Sequence, residues 1–258
     1  MAKKKPMAPR PPPSDRPKNY LLRALPEADF ERLRPDLETI PTSAKQVFHK
    51  HGEPIEFVYF PNGGVASITA VLSDGIMVET ATVGLEGMVG IEAFFGKNAV
   101  APCETMMQVS DTNAEQLSVV AFRREIARQG IFADVIGRYA QAGVAQMMQS
   151  TACNARHHIQ ERCARWLLMT HDRVGRDDFE LSHEFLAVML GVRRQSVTVV
   201  AGTLQRAGLL TYKHGRITVL DRTGLEAASC ECYAAIRRRF DALLPRSRTV
   251  RYRTDPRL

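Results

Sequence analysis

The sequence predicts an α+β chain in three successive parts: an N-terminal β jelly roll, a long connecting helix and a C-terminal winged helix-turn-helix. Short β-rich segments recur about every ten residues as far as residue 122. A helical period then begins at Ile131, and a glycine near position 191 separates two apolar helical segments. These changes of period mark the borders between the parts.

The order of these patterns divides the chain into five regions. Residues 1–20 hold six prolines and six basic residues, a composition that cannot form a core and predicts disorder. The regions are a basic, Pro-rich tail (1–20), a jelly-roll domain (21–130), a connecting helix (131–170), a winged helix-turn-helix (171–228), and a C-terminal helix with an Arg-rich tail (229–258).

Composition favours a globular protein that acts inside the cell. The 258 residues are 45% hydrophobic and 24% charged. No uncharged stretch approaches the roughly 20 apolar residues of a membrane span, and the basic N-terminus lacks the apolar region of a secretory signal. We therefore expect a cytoplasmic location without membrane association.

The five cysteines are an odd number without the spacing of a disulfide framework, so free thiols are expected. Cys230 and Cys232 are interpreted as two thiols on the C-terminal helix, with metal binding or redox switching as the alternative. His157 and His158 fall within the predicted long helix, where packing or solvation is expected.

The net charge of +7 is unevenly distributed. Residues 1–20 carry +5 and residues 237–258 carry +6, which leaves −4 for residues 21–236. Within this acidic middle, residues 185–220 contain five Lys or Arg and no carboxylate. A concentrated basic surface of this kind is typical of contact with phosphate backbones, although a solvated basic face is the alternative.

The predicted jelly roll follows a short amphipathic helical segment near residues 20–37, in which Pro26 is acceptable at a helix start. Strand-like segments with Phe57, Val65, Ile76 and their neighbours are separated by PNGG, SDG and VGLEG. Further strand-like segments lie within 108–120. Short strands at this spacing indicate a small antiparallel barrel or jelly roll.

The connecting helix is predicted from apolar residues that recur every three or four positions from Ile131 to Trp166 without a proline. A helix of about ten turns exceeds what one small domain needs. It is expected to link domains or to pack against a second copy of the chain.

Residues 182–204 have the spacing of a helix-turn-helix. Ser182 is a good N-cap for a first helix from His183 to about Leu190, and Gly191 suits the positive φ of a sharp turn. Apolar or small residues fall where two short helices must pack, namely at 186, 187, 190, 191, 192, 197 and 200. An ordinary helical hairpin with solvated side chains is the alternative.

The second helix of this motif begins at RRQSVTVVAGTLQ, whose valines by themselves favour a strand. As a helix, the segment gains one apolar face from Val197, Val200, Ala201 and Leu204. Its polar face suits the DNA major groove, where Arg reads guanine, Gln reads adenine and an exposed Val touches the thymine methyl. The residues predicted to face bases are Arg193, Arg194, Gln195, Thr198 and Val199.

A β-wing is predicted after this helix. Ala207 and Gly208 end the helix, and LLTYKHGRITVLD then forms two strands with a turn at His214 and Gly215. Asp221 is expected to cap a helix that follows. The residues predicted to contact phosphates are Ser196, Arg206, Lys213 and Arg216.

With these motifs, the chain resembles the Crp/Fnr superfamily of bacterial transcription regulators over about residues 25–228. The resemblance implies a cyclic-nucleotide-binding-like jelly roll, a homodimer along the long helix, a palindromic double-stranded operator and contact with RNA polymerase. It also implies no catalytic residues. Gln195 stands where the family commonly has Glu, and Val199 where it commonly has Arg, so a different operator sequence is expected.

The predicted sensor departs from relatives that bind cyclic nucleotide. Those relatives use a Gly-Glu pair for the ribose and an Arg-Ser pair for the phosphate. Here Gly90 is kept, Ile91 replaces the Glu, and Pro102 and Cys103 lie near the place of the Arg-Ser pair. We therefore expect no cyclic nucleotide and predict no cofactor, with a nucleotide-binding sensor as the alternative.

A competing class is a metal-dependent cupin enzyme with an appended DNA-binding domain. His49, His51, Glu56 and Gly63 reproduce the spacing of the first cupin metal motif, and two His with a carboxylate can bind iron(II). Cupins add a later histidine, whereas this chain has none between His51 and His157. Surface histidines at a strand start are the preferred interpretation, and no metal is predicted.

Overall fold

A computed structural model describes residues 16–73, 75–110 and 112–244. The predictions for most of the N-terminal tail and for the Arg-rich residues beyond 244 lie outside this range. The described part consists of a β-rich N-terminal domain, two long helices and a C-terminal domain with its own small sheet. The predicted α+β class is confirmed.

Seven antiparallel strands build the N-terminal domain. They form one sheet with the order β1-β7-β3 and a second with the order β2-β6-β4-β5. The strands are β1 (Leu37–Pro41), β2 (Val47–His49), β3 (Phe57–Pro61), β4 (Val65–Val71), β5 (Met77–Val83), β6 (Glu104–Val109) and β7 (Asn113–Ser118). Strands adjacent in sequence often lie in different sheets, as a jelly roll requires.

Short helices close the edges of this domain. Two precede the strands, and the buried side chain of Asn19 holds the first in place by donating to the carbonyl oxygens of Pro61 and Gly87. Ser118 caps the helix that leaves β7. The helices are α1 (Tyr20–Arg23), α2 (Glu27–Leu33), followed by a 3-10 turn (Arg34–Asp36), α3 (Glu92–Phe95) and α4 (Val119–Ala127).

The prediction of one continuous helix over 131–170 is wrong. The structure has α5 (Ile131–Arg156) and α6 (Ile159–Val174), separated by His157 and His158 in extended conformations. His158 caps α6, and the Glu161 carboxylate accepts the backbone N–H of His158 at 2.8 Å. Apolar residues keep their helical spacing across the break, so periodicity did not reveal it. Histidine is also an unusual N-cap residue, so the sequence did not indicate the start of a new helix.

The C-terminal domain contains a three-stranded sheet of order β8-β10-β9 and four helices. Asp221 caps the helix after the sheet, as predicted. The elements are β8 (Asp178–Glu180), α7 (His183–Leu190), α8 (Arg194–Arg206), β9 (Leu210–Lys213), β10 (Arg216–Val219), α9 (Arg222–Ala227) and α10 (Cys232–Leu243). Cys232 opens α10, whereas Cys230 precedes it.

The two domains share one hydrophobic core. Val65 and Val109 of the second sheet belong to the same buried cluster as Trp166 of α6 and Leu190 of α7. Trp166 also donates from Nε1 to Oε1 of Glu79 at 2.8 Å, and Ser67 donates to the other carboxylate oxygen at 2.5 Å. The C-terminal domain is therefore packed directly on β4 and β5.

No single helix in the described part of the chain is long and apolar enough to cross a membrane. Helices α7 and α8 meet that length and composition only when taken together, and they are bent by 104° at their junction.

Candidate nucleic-acid interface

The turn between α7 and α8 has the geometry of a helix-turn-helix. Ser182 accepts the backbone N–H of Phe185 at 3.1 Å and so fixes the start of α7. Gly191 ends α7 with φ +62°, a left-handed conformation that a side chain would strain. The helix axes then turn through 104°, within the range of about 90–120° for this motif.

Helix α8 divides its residues between core and solvent. Val197, Val200, Ala201 and Leu204 are buried, whereas 67% of Val199 is exposed. The predicted apolar face is confirmed, so packing overrides the strand preference of SVTVV. One side of α8 is thereby held by the domain core while the other remains open to a partner.

The N-terminus of α8 lies on the exposed side of the molecule. Arg193 occupies the N-cap position and no side chain caps the first turn. The N–H groups of Arg194 and Gln195 are thus available to an anion, whereas that of Ser196 donates to the carbonyl oxygen of Arg193. The helix dipole favours negative charge there. Arg193, Arg194 and Gln195 are all exposed beside this positive end.

Arg194 makes an ion pair that the sequence did not indicate. Its Nε lies 2.8 Å from Oε1 of Glu184, and both side chains are more than half exposed. Ten positions separate the two residues, so only the turn at Gly191 brings them together. An exposed pair of this kind contributes little stability and can open to another acceptor.

Thr198 bonds within the protein. Its Oγ1 lies 3.1 Å from Nδ1 of His183, and that imidazole stacks on the ring of Tyr212 at 4.2 Å between centroids. Partial burial and, secondarily, the charge of Arg194 lower the pKa of His183. The imidazole of His183 therefore connects α7, α8 and β9.

The predicted wing is confirmed as the hairpin of β9 and β10. His214 and Gly215 both have positive φ, +50° and +76°, as a tight two-residue hairpin turn requires. The backbone N–H of Tyr212 donates to Oε1 of Gln205 at 2.8 Å and ties the hairpin to α8. The wing is therefore fixed next to the exposed side of α8.

The two basic residues of the wing differ in their surroundings. Lys213 is exposed, and its side chain forms no ion pair within the described part of the chain. Arg216 lies 2.6 Å from Asp178 and 3.0 Å from Glu180, both on β8. Lys213 thus has an uncompensated charge, whereas two carboxylates offset that of Arg216.

The structure brings the predicted DNA-binding residues to one region. Arg193, Arg194, Gln195, Thr198 and Val199 are exposed on α8, Ser196 is half-buried in its first turn, and Arg206 is exposed near its end. Lys213 and Arg216 lie on the adjoining hairpin. Sequence reasoning missed the contributions of Glu184, His183 and Tyr212, which position this surface.

The structure does not assemble the metal set of the alternative cupin interpretation. His49 donates from Nε2 to the carbonyl oxygen of Phe57 at 2.9 Å, and His51 donates from Nδ1 to that of Pro102 at 2.8 Å. Burial lowers the pKa of His49. Within residues 16–73, 75–110 and 112–244, these histidines and Glu56 do not belong to the group whose ligand atoms are close enough to share a metal.

Comparison with known proteins connects this geometry to a family. Residues 161–228 match the family model of the Crp-like helix-turn-helix domain. The chain is 27% identical over 169 residues to the transcriptional regulator SdrP of Thermus thermophilus, covering 63% of this chain and 79% of SdrP. It is 29% identical over 195 residues to the transcriptional regulator LdrP from another strain of T. thermophilus, covering 70% of this chain and 92% of LdrP.

Solved structures share the fold over about three quarters or more of this chain. The structure of FixK2 from Bradyrhizobium japonicum has a TM-score of 0.63 at 18% identity and covers 75% of this chain and 98% of that chain. A putative Crp/Fnr regulator from Eubacterium rectale has a TM-score of 0.61 at 18% identity, covering 81% and 98%.

These likenesses agree with the jelly roll, the connecting helices and the helix-turn-helix with its exposed side of α8 described above. The chain therefore carries a Crp-like helix-turn-helix domain at residues 161–228 and is similar over most of its length to known transcriptional regulators.

Proposed function

We propose that this regulator binds a palindromic operator as a homodimer and reads bases in the major groove with the N-terminal half of α8. The observation that carries the proposal is the exposed, uncapped start of α8, where Arg193, Arg194 and Gln195 are grouped. Arg and Gln can each make two hydrogen bonds to the edge of one purine base. Such contacts distinguish one base from another, whereas phosphate contacts carry no direct sequence information.

Val199 and Thr198 extend this reading surface by one turn. The exposed methyl groups of Val199 suit a thymine methyl. Thr198 contributes mainly its methyl group, because its hydroxyl already contacts His183. Gln195 and Val199 are also where this chain departs from the common family residues, so we propose an operator that differs from those of the best-known members.

The phosphate contacts in this proposal flank the reading surface. Ser196 and the free N–H groups of the first turn of α8 lie at the positive end of the helix dipole. Arg206 lies toward the other end of α8, and Lys213 at the wing tip is exposed. Arg216 is a weaker candidate because Asp178 and Glu180 offset its charge.

The proposed dimer uses α5. Val144, Met148, Thr151 and Ala155 are exposed at intervals of three or four residues, and 69% of Met148 is accessible in the single chain. This spacing produces one stripe along the helix, which suits antiparallel or parallel packing against the same stripe of a second copy. Two copies related by a two-fold axis would present two α8 helices to a palindrome.

We further propose that the jelly roll does not bind cyclic nucleotide. Gly90, the retained glycine of the family pattern, is packed against His49: a Cβ at Gly90 would lie 2.9 Å from Cε1 of that ring. Between residues 90 and 110, Lys97 is the only cationic side chain in the sequence. A cyclic phosphate would thus lack the counter-charge that this segment supplies in nucleotide-binding relatives.

As a DNA-binding regulator, the protein would act in the cytoplasm, together with RNA polymerase, and without enzymatic activity of its own. These roles rest on the Crp-like helix-turn-helix domain and on the similarity of the chain to known transcriptional regulators. The sensor could respond to an effector of another chemical class.

Selection of binding sites from random double-stranded DNA tests the proposal. The full chain is expected to enrich a two-fold symmetric motif whose half-sites are centred about 10 base pairs, or a multiple of one helical turn, apart. The mass of the complex on a selected duplex should correspond to two chains. Enrichment of no motif would contradict sequence-specific binding, and an asymmetric motif bound by one chain would contradict the dimer.

A further inference from the structure

Four metal-binding side chains meet where α5 ends and α10 begins. Cys153 and His157 come from the C-terminal end of α5. Cys232 opens α10 and Cys230 lies just before it, more than 70 residues later. The three sulfur atoms and one imidazole nitrogen all lie within 4.8 Å of one another. The cysteines are at most 5% exposed, so the group is enclosed.

The distances in this group match the edges of a zinc tetrahedron. Zn–S bonds of about 2.3 Å and Zn–N bonds of about 2.0–2.1 Å require S···S edges of about 3.8 Å and S···N edges of about 3.6 Å. The Sγ atoms of Cys153 and Cys230 are 3.5 Å apart. Sγ of Cys232 lies 3.6 Å from Nδ1 of His157.

Neighbouring side chains supply the second shell that such a centre needs. Nδ1 of His157 points to the sulfur atoms, while its Nε2 lies 3.2 Å from the Glu231 carboxylate. This is the carboxylate-histidine-metal order found around protein-bound zinc. Gln149 donates from Nε2 to Sγ of Cys232 at 3.0 Å, a hydrogen bond that suits a thiolate.

The charges around the group also fit a metal with three thiolates. Zn²⁺, three thiolates and one neutral imidazole leave one negative charge in a buried position. The buried guanidinium of Arg165 interacts with Cys153, and its Nε finds no hydrogen-bond partner in the described residues. Arg162 interacts with both Cys153 and Cys230. Two cations are thus available to balance the centre.

We infer that Cys153, His157, Cys230 and Cys232 form a structural site for one Zn²⁺ ion. Thiolate and imidazole ligands select zinc over magnesium or calcium. Four protein ligands complete the tetrahedron and leave no open position for a substrate, which distinguishes a structural site from a catalytic one. On binding, the ion replaces the protons of the three thiols, which are released to solvent.

The position of the site gives the metal a role in the fold. It would fasten the end of α5 to α10, and so close a loop that contains α6 and the whole helix-turn-helix. The break at His157 then has a physical reason, because the extended backbone at this residue turns its ring toward Cys232. The site is independent of the DNA-reading face of α8.

Metal analysis of the tag-free full chain, purified under reducing conditions, tests the inference. About one zinc per chain is expected, together with a fall in melting temperature after removal by a chelator. Cys232→Ser and His157→Ala should lose the zinc, whereas Cys103→Ser, a change to a half-buried thiol of the jelly roll, should keep it. Retention of zinc by both Cys232→Ser and His157→Ala would overturn the assignment.

Cobalt provides a readout that does not depend on how the variants fold. Co²⁺ added to the reduced, metal-free wild-type chain should give the visible absorption of a tetrahedral ion and near-ultraviolet thiolate-to-cobalt bands, and one equivalent of Zn²⁺ should abolish both. A chain that purifies without zinc and gives no such bands would overturn the proposal. A native disulfide between Cys153 and Cys230, found by mass spectrometry after alkylation, would also overturn it.

Discussion

Lys213 and Arg216 show how neighbouring residues with the same charge can differ in their surroundings. The sequence predicts phosphate contacts for both, since both flank the turn of the wing. The structure adds that Asp178 and Glu180 pair with Arg216, whereas Lys213 is exposed. The sequence could not reveal this difference, because β8 meets β10 only through the long-range pairing of the small sheet.

Lys213→Ala is expected to weaken binding to every DNA sequence alike. Each lost phosphate contact reduces the slope of log K against log[salt] by about 1, or about 2 for a dimer. Fluorescence anisotropy with an operator and a scrambled duplex, over a range of salt, measures both effects. Lys50→Ala, at an exposed lysine of the jelly roll, is the control and should leave the slope unchanged. A loss confined to one operator base pair would contradict a phosphate role.

Glu184 and Arg194 illustrate the limit of sequence reasoning at a single site. The positions of the base-reading candidates followed from helical periodicity, which the structure confirms. Periodicity could not predict the residues that contact these candidates within the protein. Glu184, His183 and Tyr212 approach α8 only through the turn and the wing of the folded domain.

Helix α8 is an element in which packing decides the secondary structure. Its β-branched run forms a helix because Val197, Val200 and Leu204 complete the core shared with α6 and α7. The same periodicity argument failed for residues 131–170, where a cap built by His158 and Glu161 interrupts an otherwise regular pattern. Apolar spacing predicts which face is buried, but local capping decides where a helix ends.

Two isosteric substitutions on α8 separate folding from DNA recognition. Val197→Thr places a hydroxyl at a fully buried position of the core and should lower the free energy of unfolding by about 1–3 kcal/mol. Val199→Thr changes an exposed side chain and should alter it by less than about 0.5 kcal/mol. Urea denaturation measures both. Equal losses of stability would contradict the assigned orientation of α8.

The substitutions at Val197 and Val199 should also differ in their effect on DNA recognition. Val199→Thr is expected to shift the preferred base at one position of each half-site, because a hydroxyl replaces a methyl group that suits thymine. Binding-site selection with this variant checks the shift. An unchanged motif would remove Val199 from the reading surface.

At the scale of the whole molecule, the C-terminal domain is packed on the jelly roll through a buried polar contact. Glu79 of β5 accepts hydrogen bonds from Trp166 of α6 and from Ser67 of β4. Burial raises the pKa of Glu79 to about 7, although these two hydrogen bonds oppose the shift. Composition and motifs predicted both domains, but not this contact, because its three residues share no sequence pattern.

The raised pKa predicts a pH-dependent stability. The folded chain retains the proton of Glu79 up to about pH 7, whereas the unfolded chain loses it near 4.5. The contribution to stability is therefore complete below about pH 4.5 and declines as the pH rises through 7, by on the order of 3 kcal/mol at most.

Melting temperatures of the wild type and Glu79→Gln between pH 5 and 8 test this contact. The melting temperature of the variant should rise relative to that of the wild type as the pH rises, because the neutral amide of Gln cannot ionise. A difference that stays constant over this range would show that Glu79 does not titrate between the domains.

Arg194, at the start of α8, is proposed to read a base in each half-site. Binding-site selection with wild type, Arg194→Ala and the control Arg34→Ala, an exposed arginine paired with Glu31, tests it most directly. Arg194→Ala should lose preference at one symmetric position and weaken operator binding by about 1–3 kcal/mol, while Arg34→Ala keeps the wild-type motif. An identical motif from Arg194→Ala, bound with wild-type affinity, would contradict base reading by Arg194.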